Sequence, residues 1–191
     1  TNVVGAYGQP EGQEMDYVVL DGKGQAPIVV GDEASVIERH AAEELARYVG
    51  AMSGARLRIV AAGEGRDIAR RVLIGRPETN TLIAEHCAAG RVLLSPDFPG
   101  PDGFVLKTVP RPEADGPSWD LVLGGSNDRA TLYAVYDLLE RVWDVGFFWD
   151  GDFVPKRLTL PLPRLDIAER PRFPIRQHLQ GQGAEFKFQA K

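Results

Sequence analysis

Trp119-Asp120-Leu121-Val122-Leu123-Gly124-Gly125-Ser126-Asn127-Asp128 reads as a strand, a glycine turn and a helix start in one run. Behind it, Leu132, Val135, Tyr136, Leu139, Val142 and Trp143 recur at i, i+3, i+4, i+7, i+10 and i+11, a broad apolar stripe that must face a core. Gly146 ends this helix, and Phe147-Phe148-Trp149 predicts a short buried strand. A second long helix lies upstream. Ile37, Ala41, Leu45, Tyr48 and Met52 form its stripe, Asp32 or Ser35 can cap it, and Gly54 stops it. Glu38, Arg39, Glu43, Glu44 and Arg47 fall largely off the stripe and predict a polar face. A short third helix is expected over Asn80 to Ala89, stopped by Gly90.

Around the helices lie short apolar runs bounded by turn residues. Tyr17 to Leu20 (closed by Asp21-Gly22), Pro27 to Val30, Leu57 to Val60, Val72 to Ile74, Phe104 to Val109, Leu158 to Leu160 and Leu165 to Ile167 read as strands. Val92 to Leu94 suits a strand or a turn, and the proline-rich Arg111 to Pro117 a loop. Two long helices with one apolar face each want the same side of one sheet. The expected fold is α/β (α+β), a two-layer sandwich with a mixed sheet and two to three helices mainly on one face.

The chain has 191 residues, 43% hydrophobic and 26% charged, enough to bury a core without disulfide or metal staples. It is too short for a (β/α)₈ barrel of roughly 250 residues. Its 27 acidic and 22 basic side chains leave a net charge of -5, which argues against nucleic acid as a partner. No apolar run reaches the roughly 20 residues of a membrane span, so no membrane is expected either. The lone cysteine, Cys87, excludes an internal disulfide. The chain opens at Thr1 rather than a methionine, so an upstream segment is expected to have been removed. Residues 1–13 show no basic stretch followed by an apolar core that would mark a signal peptide.

Candidate chemistry is sparse. The Gly124–Asp128 turn offers backbone N–H groups at a helix start, suited to an anion, or equally a tight turn capped by Ser126, Asn127 or Asp128. His40, His86 and His178 lie in distant segments without metal-ligand spacing. Cys87, next to His86 on a helix, suits burial better than nucleophilic work. Carboxylates pair at Glu43-Glu44, Asp150/Asp152 and Asp166/Glu169, but nothing sets two of them across a cleft as glycoside hydrolysis needs. No catalytic residue, metal site or cofactor is expected. Trp143, Phe147, Phe148 and Trp149 form an aromatic group in which Trp143 belongs to the core stripe. Trp149, beside Asp150, is the one expected to be exposed, and with Trp119 it is a candidate for stacking on sugar rings.

One resemblance runs through these segments. Ile28-Val29-Val30-Gly31-Asp32, then His40 to Tyr48, then Ser53-Gly54-Ala55 resembles an opening of extended strand, "AAEEL" helix and "TGA"-type turn. Val72 to Arg76 and Gly103-Phe104-Val105-Leu106 fit the strands that follow. Leu121 to Ser126 with Arg129-Ala130-Thr131-Leu132-Tyr133-Ala134-Val135-Tyr136-Asp137-Leu138-Leu139-Glu140 resembles a "G-x-S-x-R-G-T-L-Y-A-V-Y-D-F-L-E" segment, and Val145 to Trp149 with Val154-Pro155 completes it. From about Val18 to Arg176 the chain is similar to the N-terminal non-catalytic domain of bacterial β-N-acetylhexosaminidases, α-glucuronidases and their uncharacterised relatives.

The resemblance implies a mixed sheet with helices on one face, set ahead of a catalytic (β/α)₈ barrel of the same polypeptide that acts on a carbohydrate substrate. It implies an accessory domain over 1–172 and a junction to the barrel over 173–191. It also favours a secreted or periplasmic setting. Arg170 to Arg176 resembles the "E-x-P-x-F-x-x-R" entry to the first barrel strand, which makes Arg176 the counterpart of an arginine that contacts sugar hydroxyls. Gln177 to Gly181 departs from the "D-x-x-R" strand of the hexosaminidases and moves the likeness toward the α-glucuronidase-like or uncharacterised relatives. The expected function is thus a non-catalytic domain of a glycoside hydrolase. The alternatives are a carbohydrate-binding module using Trp149 and Trp119, and a stand-alone enzyme holding phosphate at Gly124-Gly125.

Overall fold

The computed structural model describes residues 15–111 and 118–173. Its elements are β1 (Asp16–Leu20), β2 (Lys23–Gly24), β3 (Ile28–Val30), α1 (Val36–Ser53), β4 (Ile59–Ala61), α2 (Ala62–Gly65), β5 (Arg70–Gly75), α3 (Thr81–Ala88), β6 (Phe104–Pro110), β7 (Trp119–Gly125), α4 (Asp128–Arg141), β8 (Gly146–Phe148), β9 (Gly151–Phe153), β10 (Leu160–Leu162) and β11 (Asp166–Glu169). The main sheet has the order β11-β6-β7-β5-β3-β4. Strands β4, β3, β5 and β7 run parallel, while β6 is antiparallel to both β7 and β11. This is the expected α+β class with a mixed sheet.

Alternation along the strands sorts the core into two layers. Ile28 and Val30, Val72 and Ile74, Leu106, and Leu121 and Leu123 point to one face and pack with Leu45, Val49, Val135 and Leu138 of α1 and α4. Val29, Leu73, Val105 and Val122 point the other way, onto Leu82 and Ile83 of α3 and onto Val92 and Leu94. The two long helices therefore share one face as expected, and the shorter α3 takes the other. The 92–94 segment is irregular chain that plugs the second layer rather than a strand.

Local chemistry sets the helix ends. Ser35, not Asp32, caps α1 in a reciprocal box: its hydroxyl accepts from the Glu38 N–H, and the Glu38 carboxylate accepts from the Ser35 N–H. Gly54 takes φ +77 at the other end, a left-handed turn that suits glycine. Asn127 caps α4, whose last helical residue is Arg141. Trp143 lies beyond that end yet stays fully buried, its indole N–H donating to the Pro161 carbonyl at 2.9 Å.

Two expectations are corrected. The strands do not form one sheet: β10-β1-β2 make a separate three-stranded sheet, and β8-β9 a two-stranded ribbon. Nor is Phe147-Phe148-Trp149 a buried strand. Phe147 and Phe148 belong to one arm of that ribbon and Trp149 to its turn, with Phe147 turned inward while Phe148 and Trp149 face solvent.

Candidate functional site

In open parallel sheets, ligands sit beyond the carboxyl ends of the strands, where the chain reverses its direction of winding. Here that point lies between β3 and β5: the chain leaves β3 for β4 through α1, then returns past β3 to β5 through α2. The chain's own side chains fill it. The Asn80 amide donates to the Val29 carbonyl at 3.2 Å and the Ile74 carbonyl at 3.1 Å, bridging the two strands. Glu38 Oε1 accepts from Arg76 Nε and from the Thr79 hydroxyl, each at 2.9 Å. Gly31 is pressed so closely on this plug that a Cβ there would lie 1.8 Å from the Thr79 carbonyl oxygen. Glu38, read from its spacing as a polar-face residue, is fully buried: its helix position faces the sheet end, where three donors await it.

The β7–α4 turn is equally closed. Asn127 Oδ1 accepts from the Ala130 N–H at 2.8 Å, and the Ser126 hydroxyl donates to the Gly100 carbonyl at 2.8 Å. Asp102 takes both oxygens to Arg129 Nη2 at 2.8 Å and accepts from the Asn127 amide at 2.9 Å. An internal carboxylate thus stands at the helix start that the phosphate reading reserved for an external anion. That reading is set aside.

A buried ionic cluster, not expected from the sequence, lies on the α3 face near the start of β5 and β7. Asp120 is fully buried. Its Oδ1 accepts from Arg71 Nε at 2.7 Å, and its Oδ2 accepts from Arg71 Nη2 and His86 Nε2, each at 2.6 Å. Arg71 Nη1 donates onward to the Gly65 and Arg66 carbonyls. Burial pushes the Asp120 carboxyl up, but the hydrogen bonds from Arg71 and His86 and their charge outweigh it and hold it below the usual carboxylate range. A carboxyl lowered by folding stabilises the fold above its unfolded value, and that stability is lost as pH falls through its folded value. The thermal midpoint should therefore hold from neutrality to about pH 5 and fall below about pH 4, where free aspartate takes its proton. The fall should be shallower in Asp120→Asn. Equal slopes for the two proteins would refute this role.

The remaining candidates do not converge. His40 is exposed, and His178 and Arg176 lie outside the described residues. No group of three or more His, Cys, Asp or Glu that could hold a metal occurs among the described residues. Burial pushes the Cys87 thiol up, which keeps it protonated and poor as a nucleophile. Glu43 is exposed, but Glu44 is not the solvated residue its spacing suggested. It is buried, held bidentately by Arg47 at 2.8 Å, and accepts from the Tyr136 hydroxyl at 2.7 Å. Asp166 pairs with Lys107 and Glu169 with Arg141 on the sheet edge. Asp152 accepts from the Tyr48 hydroxyl, and Asp150 is exposed at the ribbon tip. Trp119, proposed from sequence as an exposed stacking residue, is only 2% exposed because it opens the central strand β7 and its ring joins the helix-side core. Trp149 is 99% exposed. No helix among the described residues is long and apolar enough to cross a membrane.

No family model and no curated protein matches this sequence. Solved structures do. A family GH115 4-O-methyl-α-glucuronidase, BtGH115A, with specificity for decorated arabinogalactans, matches with a TM-score of 0.55 and 17% identity over 82% of this chain and 18% of its own. The likeness is one of fold. The structure of CpGH84D matches with a TM-score of 0.43 and 14% identity over 80% of this chain and 22% of its own. This chain thus spans only about a fifth of the length of these two solved chains.

Proposed function

We propose that this chain is a non-catalytic domain of a glycoside hydrolase, of the α-glucuronidase-like or β-N-acetylhexosaminidase-like kind. It packs against a catalytic (β/α)₈ barrel of the same polypeptide, with the accessory domain over 1–172 and the junction over 173–191. One observation carries the reading: the strand-end crevice where such a sheet would hold a ligand is plugged by Glu38, Asn80, Arg76 and Thr79. The match to 18% of an α-glucuronidase chain supports it, since the sequence resemblance points to the same enzymes. In this reading Arg176 reaches the sugar from the junction and Trp149 adds an aromatic face. The sequence encoded beyond Lys191 tests it. About 250 further residues of alternating strands and helices are expected, and a stop codon at Lys191 would contradict it.

The exposure of Trp149 favours a second reading, a module that holds polysaccharide by stacking. Affinity electrophoresis of the chain in gels containing xylan, chitin or pectin separates the two. Retardation that Trp149→Ala abolishes supports the module, and unchanged mobility on all three counts against it.

A further inference from the structure

The β8–β9 ribbon carries three large exposed aromatics within six residues: Phe148 at 62%, Trp149 at 99% and Phe153 at 60% exposure. Single exposed apolar residues are ordinary, whereas contiguous patches mark interaction surfaces. Cross-strand register explains how this patch forms. Gly146 lies opposite Phe153 and Gly151 opposite Phe148, so both phenylalanines stand on one face with only glycines across from them. The Phe148 ring lies over Gly146, where a Cβ would come within 2.5 Å of it, and the space above Gly151 is open. The other face is anchored. Phe147 meets Tyr48 and Tyr136 edge-on, with ring centroids 5.5 Å and 5.0 Å apart, and its cross-strand neighbour Asp152 accepts from the Tyr48 hydroxyl. The patch is thus held in shape before anything binds to it, which lowers the entropy lost on docking.

We infer that this ribbon is the face by which the domain seats on the second domain of the same polypeptide, Phe148 and Phe153 entering an apolar surface there and Asp150 meeting a cationic side chain. The inference rests on the accessory-domain reading and names the surface that it uses. Three observations select this occupant. The Phe148–Phe153 face offers no polar side chain across the strands to engage sugar hydroxyls. Nearby charges are already spent on internal partners, Asp144 on Arg157 and Glu44 on Arg47, while exposed Asp150 at the tip has none among the described residues, which leaves one negative point for a partner's cation. And the like fold in BtGH115A is 18% of its chain, so most of that polypeptide lies outside it and supplies a tethered partner.

Hydrogen exchange at amides 146–153 tests this, comparing the 191-residue chain with the full encoded polypeptide, each as wild type and as the F148S/F153S double variant. The expected result is exchange slowed about tenfold or more in the full polypeptide. That protection should be lost in the double variant, while the isolated chain melts alike in both forms. Unchanged exchange at 146–153 with slowing elsewhere on the chain would overturn the inference and leave the accessory-domain reading standing. No slowing anywhere would remove both. Slowing of the isolated chain by added xylan oligosaccharides alone would overturn it in favour of a sugar platform.

Discussion

Asp120→Ala should lower the stability of this chain by about 3–5 kcal/mol, the loss typical when one partner of a buried ion pair is removed. With domains stable by only about 5–15 kcal/mol, that is a large fraction of the total. The side chain it strands, Arg71, is itself buried, and its guanidinium keeps only the Gly65 and Arg66 carbonyls once the carboxylate is gone. His86 Nε2 loses its acceptor as well, and Nδ1 has no hydrogen-bond partner among the described residues to begin with. The expected damage therefore comes from uncompensated charge more than from a lost attraction. That distinction is measurable by urea denaturation. The Arg71→Met, Asp120→Ala double variant removes both charges and should be more stable than Asp120→Ala alone. A single variant within about 1 kcal/mol of wild type, or a double variant worse than the single, would contradict this account of the cluster.

Glu38→Ala should have the next largest effect, a loss of about 2–4 kcal/mol. The capping box accounts for roughly 1 kcal/mol. The rest follows from leaving Arg76 and Thr79 without their shared acceptor, discounted because the Arg76 side chain is 25% exposed and water reaches it. Glu38→Gln keeps the shape and an acceptor, and should recover part of the loss. Urea denaturation of both variants measures it. A loss no greater than that of Ser35→Ala would mean that Glu38 only caps α1 and does not hold the strand-end plug.

Both sites show where sequence reading succeeds and where it stops. Helices α1 and α4 are legible because their stripes repeat over about four and about three turns, and Gly54 and Asn127 mark ends by local chemistry. Strands β3, β5, β6 and β7 were legible as apolar runs. What escaped was charge buried by distant partners: Arg71 meets Asp120 across 49 residues, and Glu38 meets Arg76 across 38. One signal was present, an aspartate inside an otherwise apolar strand, Trp119-Asp120-Leu121, where that residue type is disfavoured unless something pairs it. The separate sheet escaped because β2 is two residues long and β10 carries Pro161, tolerated there because β10 is an edge. The ribbon escapes because Phe147 to Trp149 reads as one apolar unit, although Gly151 two residues on, at φ +137, marks a reversal, and the pleat of the paired strand then sends Phe147 and Phe148 to opposite faces.

The central claim, that the chemistry of the parent protein lies outside this domain, is tested most directly by assaying aryl glycosides, aryl α-glucuronides among them, with the purified 191-residue chain and with the full encoded polypeptide side by side. The account predicts turnover by the full polypeptide and none above background by the isolated chain. Hydrolysis by the isolated chain, abolished by a substitution within residues 15–173, would contradict it.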